Sequence, residues 1–181
     1  MPADLRRDAA RLQNVGRLAY PWNVLEALLF DNGFQAVVLY RFGRWFKRRR
    51  IPFLGPAIAR FGTFLTGVEI SPSAEIGPGL RISHGVGIVV GGHVRIGAGA
   101  VLLHQVTLGS PSEGRVDEMP TLGENVFIGA GTKLIGRIEI GDGVVIGPNC
   151  VVTRDIPAGS KVLPGGGIKV LPRRPHPPAG G

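Results

Sequence analysis

From residue 122 to 157 the hydrophobic positions recur every six residues. Leu122, Ile128, Leu134, Ile140, Ile146 and Val152 form one series; Val126, Thr132, Ile138, Val144, Cys150 and Ile156 form a second, mostly small apolar one, four positions later. A period of six fits neither an amphipathic helix nor an ordinary amphipathic strand, so each hexad reads as one short strand plus a turn. Such a unit cannot bury its apolar side alone. Stacked coils solve this, because equivalent aliphatics pile into one continuous core while the backbone pairs from coil to coil. Gly129, Gly141 and Gly147 each follow an aliphatic residue directly and suit tight corners.

The register extends upstream through Ile70, Ile76, Ile82 and Ile88, then through Val90, Ile96, Leu102 and Leu108. It slips by two residues near Ile88 to Val90 and again across 109–121 (GSPSEGRVDEMPT), a Gly-, Pro- and Ser-containing stretch that leaves the coil as a loop. Loops extruded from a rigid repeat are natural places for substrate contacts. The pattern divides the chain into a short α-helical N-terminal region (1–66), a mainly β domain of stacked coils (67–165) and a Pro/Gly-rich tail (166–181), extended or disordered.

In the N-terminal region Pro21 opens a helix through Leu29, and Asp31 with Gly33 punctuates before a second helix from about Phe34 to Arg49. Phe34, Val38, Phe42 and Trp45 share one of its faces; Arg41, Arg44 and Arg48 share another and lead into Arg49 and Arg50. This is either a packed helix with a solvated basic side or a helix lying on a membrane surface. The following FLGPAIARFGTFLTG gives a third short helix or a turn-rich connector. No apolar run approaches the ~20 residues of a membrane span, and residues 1–20 lack the apolar core of a signal peptide.

Charge is uneven. Residues 1–60 carry eleven Lys or Arg against four acids, 61–160 six against nine, and 161–181 four against none. A mildly acidic repeat body argues against a nucleic-acid groove, and the basic ends suit cofactor phosphates or a membrane surface. The one cysteine, Cys150, falls on an inward position and reads as a small core hydrophobe, so no disulfide forms within the chain. A cytoplasmic protein, peripheral at most to the inner membrane face, is the simplest reading.

Candidate chemistry gathers at the first slip. His84 stands in ISHGVGIVV, and His104 lies three hexads further once the slip is allowed for, which places the two imidazoles on one corner of adjacent coils, about 4.8 Å apart. Glu69 precedes His84 by about one coil and is placed to hold the ring from behind. A carboxylate on one imidazole nitrogen makes the other a better base for deprotonating a hydroxyl.

At this point the segments VEISPSAEIGPGLRISHGVGIVVGGHVRIGAGAVLLHQVTLG and PTLGENVFIGAGTKLIGRIEIGDGVVIGPNCVV resemble the serine acetyltransferase family over residues 68 to about 165. The resemblance implies a left-handed parallel β-helix, acetyl-CoA as donor held between neighbouring subunits, and a homotrimer or a dimer of trimers. It puts the catalytic histidine on His84 and the supporting carboxylate on Glu69. For the cofactor it points to Gly109, to Ala130, Gly131 and Lys133, and to Gly147 and Pro148; Lys161 and Lys169 join Lys133 as candidates for CoA phosphates. Two departures stand out. The family's acidic residue before the histidine is Ser83 here, and its Arg-His pair before the loop proline is Glu118 and Met119. A related branch, the exopolysaccharide O-acetyltransferases of the colanic-acid type, is similar at those places, with a Glu at the Glu69 position and a histidine at the His104 position.

The sequence therefore predicts an acetyl-CoA-dependent O-acetyltransferase with His84 as base, Glu69 as its support and no metal. Ser83, His104, Gln105 and Arg115 would contact the acceptor, expected to be a saccharide hydroxyl, with free serine as the alternative. Rival readings are a non-catalytic hexapeptide scaffold, or a metal site using His84 and His104; for the latter no third ligand is evident, since His93 falls on another corner and His176 lies in the tail.

Overall fold

The computed structural model describes residues 4–10, 21–164 and 169–172. Each hexad forms one short strand and one corner, and the strands stack into three sheets. The first holds β1 (Val68–Ile70), β4 (Ile88–Val90), β7 (Thr107–Gly109), β10 (Lys133–Ile135) and β13 (Val151–Val152). The second holds β2 (Glu75–Ile76), β5 (Arg95–Ile96), β8 (Thr121–Leu122) and β11 (Glu139–Ile140). The third holds β3 (Arg81–Ser83), β6 (Val101–Leu103), β9 (Phe127–Ile128), β12 (Val145–Ile146) and β14 (Ser160–Leu163), closed by β15 (Lys169–Pro172). All pairs are parallel except β14 with β15, so four residues of the expected tail turn back and pair instead. The coil is a left-handed β-helix of about five turns.

Both aliphatic series point inward. Leu122, Ile128, Leu134, Ile140, Ile146 and Val152 are at most 2% exposed, and the series from Val126 to Ile156 is buried with them. Each buried aliphatic contributes about 1.5–3 kcal/mol, so the repeat itself supplies the core. Thr132 fits among them because its hydroxyl donates to the Gly147 carbonyl (2.9 Å) and accepts from the Cys150 amide (3.3 Å). Coils touch at the corners: a Cβ on Gly97 would lie 2.5 Å from the Gly123 carbonyl carbon.

The two slips are insertions. Ile82 pairs with Leu102 and Val90 with Leu108, so eight steps of one coil face six of the next and two extra residues bulge at the corner between β3 and β4. Leu108 pairs with Leu134 and Leu122 with Ile140, fourteen steps against six, which extrudes eight residues between β7 and β8. That loop carries a 3-10 turn (Glu113–Arg115) and folds back on the coil: His93 Nδ1 lies 3.0 Å from Asp117 Oδ1, and Met119 packs against the core beside Gly91.

Four helices, α1 (Asp4–Ala10), α2 (Pro21–Phe30), α3 (Asn32–Arg48) and α4 (Leu54–Thr66), precede the coil. Asp31 caps α3 by accepting from the Phe34 amide at 2.9 Å. The expected α3 face packs only in its first half, where Phe34 is buried and Val38 packs against it. Gly33, Phe34, Ala36, Val37, Tyr40 and Arg41 are buried, whereas Phe42 and Trp45 remain 39% and 38% exposed. Arg41, expected on the solvated side, is 4% exposed because every part of its guanidinium finds a partner: Asp8 Oδ2 (2.8 Å) and Oδ1 (3.2 Å), and the carbonyls of Ile76 (2.6 Å) and Gly77 (2.7 Å). Asp8 also accepts from the Gly79 and Leu80 amides. Of the two readings of the next stretch the helix is the one that forms, α4, packed closely on α3, where a Cβ on Gly55 would meet the Gly43 carbonyl at 2.9 Å.

Candidate active site

The corner between the third and first sheets gathers most of the predicted residues. The two extra residues lie within 84–86, since Ser83 pairs with Leu103 and the Gln105 amide already reaches the Val86 carbonyl; His84 takes φ +56°, a left-handed conformation costly for a residue with a Cβ. His84 is exposed there. Ser83 pairs with Leu103, so His84 and His104 each directly follow the last paired position on adjacent coils. The two histidines line one cavity of about 450 Å³ with Asn32, Val86 and Gln105.

His104 Nδ1 is buried and has no hydrogen-bond partner among the described residues. An orphaned buried N–H is costlier than an orphaned acceptor, which favours the tautomer with the proton on Nε2. Gln105 also has positive φ (+57°); its amide donates to the Val86 carbonyl at 3.0 Å, and its own carbonyl accepts from Lys133 Nζ.

Ser83 and His84 also line a cleft of about 640 Å³ between the outer face of the third sheet and the α2–α3 junction, together with Asp31, Asn32, Arg81 and Leu103. Arg81 makes no ion pair among the described residues. Arg81 is not among the site residues expected from the sequence, although strand alternation puts it on the outward face with Ser83. Asp31 and Asn32 come from a helix about fifty residues upstream, which no local pattern reveals.

Of the donor-site candidates, Ala130, Gly131, Gly147 and Pro148 continue the same edge coil by coil; the Gly131 amide donates to the His104 carbonyl (3.0 Å) and the Asn149 amide to the Ala130 carbonyl (2.7 Å). Lys133 faces outward on β10, beside this edge. Gly109 and Arg115 sit at the far end of the first sheet, where the loop begins, and are not brought to His84 within one chain. Arg115 pairs instead with Glu118 at 3.4 Å. The side chain of Lys169 lies outside the described residues. Glu69 is exposed on β1, opposite Val89, and no hydrogen bond or ion pair joins it to His84 among the described residues; it lines a separate cleft against α4.

A family model described as bacterial transferase hexapeptide (six repeats) matches residues 119–154. The serine acetyltransferase of Helicobacter pylori (strain 26695) is 43% identical over 141 residues, covering 78% of this chain and 82% of that relative. The crystal structure of Neisseria gonorrhoeae serine acetyltransferase matches with a TM-score of 0.84 at 27% identity, over 97% of this chain and 67% of that one. The gonococcal protein in complex with serine matches at 0.81 and 28% identity, over 93% and 67%.

These relatives overturn the saccharide acceptor expected from the sequence. That expectation found no suitable charge at Ser83 or at the Glu118–Met119 pair and left Arg115 alone for a carboxylate, but the cleft beside His84 holds the carboxylate of Asp31 and Arg81, which makes no ion pair among the described residues. With this repeat, this corner and a relative so similar over most of both chains, the protein is an acyltransferase that belongs to the serine acetyltransferase family.

Proposed function

We propose that the protein transfers an acetyl group from acetyl-CoA to the hydroxyl of free serine. The observation that carries the reading is the corner where His84, pushed out by a two-residue bulge, faces one cavity with His104. His84 takes the proton of the serine hydroxyl as its oxygen attacks the thioester carbon; the carbon–sulfur bond then breaks, and the leaving thiolate takes the proton from His84. No covalent enzyme intermediate is needed. His104 Nε2–H is the donor we assign to the developing oxyanion, because the Gln105 and Gly131 amides on the same edge are already used between coils.

An amino acid brings a carboxylate and an ammonium, and a selective site answers each with opposite charge. Arg81 suits the carboxylate and Asp31 the ammonium, with Ser83 between Arg81 and the base. The pantetheine arm of the donor would run along Ala130, Gly131, Gly147 and Pro148, with Lys133 beside it. Gly109 and Arg115, one face away in this chain, fit a site completed by a neighbouring copy in a homotrimer. Such an enzyme works in the cytoplasm, where acetyl-CoA is made and used.

The test is steady-state kinetics of CoA release from acetyl-CoA with serine as acceptor. A kcat/KM of about 10⁴ M⁻¹s⁻¹ or above, the ordinary range for a native substrate, is expected. Absence of turnover with serine, in a preparation that binds acetyl-CoA, overturns the reading.

A further inference from the structure

The face of α4 turned away from α3 is apolar and uncovered. Leu54, Ala57, Phe61 and Phe64 recur at spacings of three and four and so form one stripe, with Phe53 at its N-terminal end and Leu65 beside it. Phe53 and Phe64 are 85% and 88% exposed, and Phe61 and Leu65 54% and 52%. A single exposed aromatic is ordinary; a contiguous stripe on a helix that packs through its opposite face marks an interaction surface.

Charge selects the partner. From Asn32 to Thr66 the chain holds seven Lys or Arg and no Asp or Glu. Arg41 is paired with Asp8 and Arg44 with Glu75, but Lys47, Arg48, Arg49, Arg50 and Arg60 make no ion pair among the described residues. Lys47, Arg50 and Arg60 line a cleft of about 600 Å³ with Phe53, beside the apolar stripe. Association of this face with its own copy would bring the same cations together across a two-fold axis. An anionic bilayer answers both halves of the surface: phosphates meet the guanidinium groups, and aromatic side chains enter the headgroup–acyl boundary.

We infer that α4 and the turn before it form a docking surface for an anionic lipid bilayer, with Phe53, Phe61 and Phe64 inserted and Arg50 and Arg60 on lipid phosphates. The helix lies in the interface; among the described residues no helix is long and apolar enough to cross a membrane. The α3 face considered for a membrane contact is partly spent on the protein, with Phe34 buried and Val38 packed against it, so the contact moves to the longer exposed stripe of α4.

The experiment is co-sedimentation of the full chain with vesicles of phosphatidylcholine alone or mixed with phosphatidylglycerol, at low and high salt. Binding is expected only with phosphatidylglycerol and should fall as salt rises. Arg50→Gln and Arg60→Gln should each weaken it about fivefold, and Phe61→Ser with Phe64→Ser more than about tenfold. All these variants should keep the acetyl-transfer turnover of the parent in solution, which shows that they fold. No sedimentation with anionic vesicles, or binding unchanged by the arginine variants, sinks the proposal. So does a fall in oligomer mass of the phenylalanine variant without lipid, which would assign the face to a second copy. If the phenylalanine variant loses turnover, the exposed arginines decide alone.

Discussion

His84 is held in a left-handed backbone conformation by a bulge that the next coil does not share, and this strain serves to put an imidazole outside the coil. His84→Ala is expected to lower kcat by about 100-fold or more, the usual worth of a positioned base, while the Kd for acetyl-CoA stays near that of the parent. Equal turnover would make it a structural corner histidine. Glu69→Gln should cost less than His84→Ala in the same assay, since Glu69 has no bond to the ring in this structure. Arg81 predicts a different signature: Arg81→Ala should raise KM for serine by about 10- to 100-fold, the range of one lost charge-assisted bond, with kcat nearly kept. An unchanged KM would remove Arg81 from the acceptor site.

At the scale of elements, a buried ion pair helps tie the N-terminal helices to the first coil, beside the bond from the Tyr40 hydroxyl to the Ala74 carbonyl. Asp8 answers Arg41 and two amides of the coil, Gly79 and Leu80, so its carboxylate links α1, α3 and the corner before β3. Removing one partner leaves a buried charge unmet, and Asp8→Ala should cost about 3–5 kcal/mol, read as a lower denaturation midpoint. A midpoint unchanged within about 0.5 kcal/mol would show that Arg41 finds other partners. The corners are less forgiving of added volume than the surfaces. Gly97→Ala places a methyl against the backbone of Gly123 and should destabilise by about 1–3 kcal/mol through overpacking.

For the whole molecule, we propose closed assembly around a three-fold axis, motivated by apolar residues that the flat sheets leave outward, such as Val101, Leu103 and Phe127 on the third. The loop residue Arg115 and the proposed base His84 lie on different corners of one chain, so a site using both needs a neighbour. Light scattering should return a trimer or a multiple of it; a stable monomer at micromolar concentration would remove the shared site.

The six-residue period determined by itself that the chain forms stacked coils, because each hexad carries its own core positions and its own corner, and no distant partner is needed to recognise them. The same count located the two slips, and so His84, His104 and the loop. The helical region was legible only in outline. α3 bears two apolar stripes, and which one packs depends on the shape of the coil beneath it and on Asp8, thirty-three residues from Arg41 in sequence. Only the fold brings Asp31 and Asn32 to the candidate catalytic corner, and only it turns the phenylalanines of α4 outward. The acceptor shows the same division: absent charges at Ser83 and Met119 were visible along the chain, whereas the cleft that groups Arg81 with Asp31 is made by elements that meet only in three dimensions.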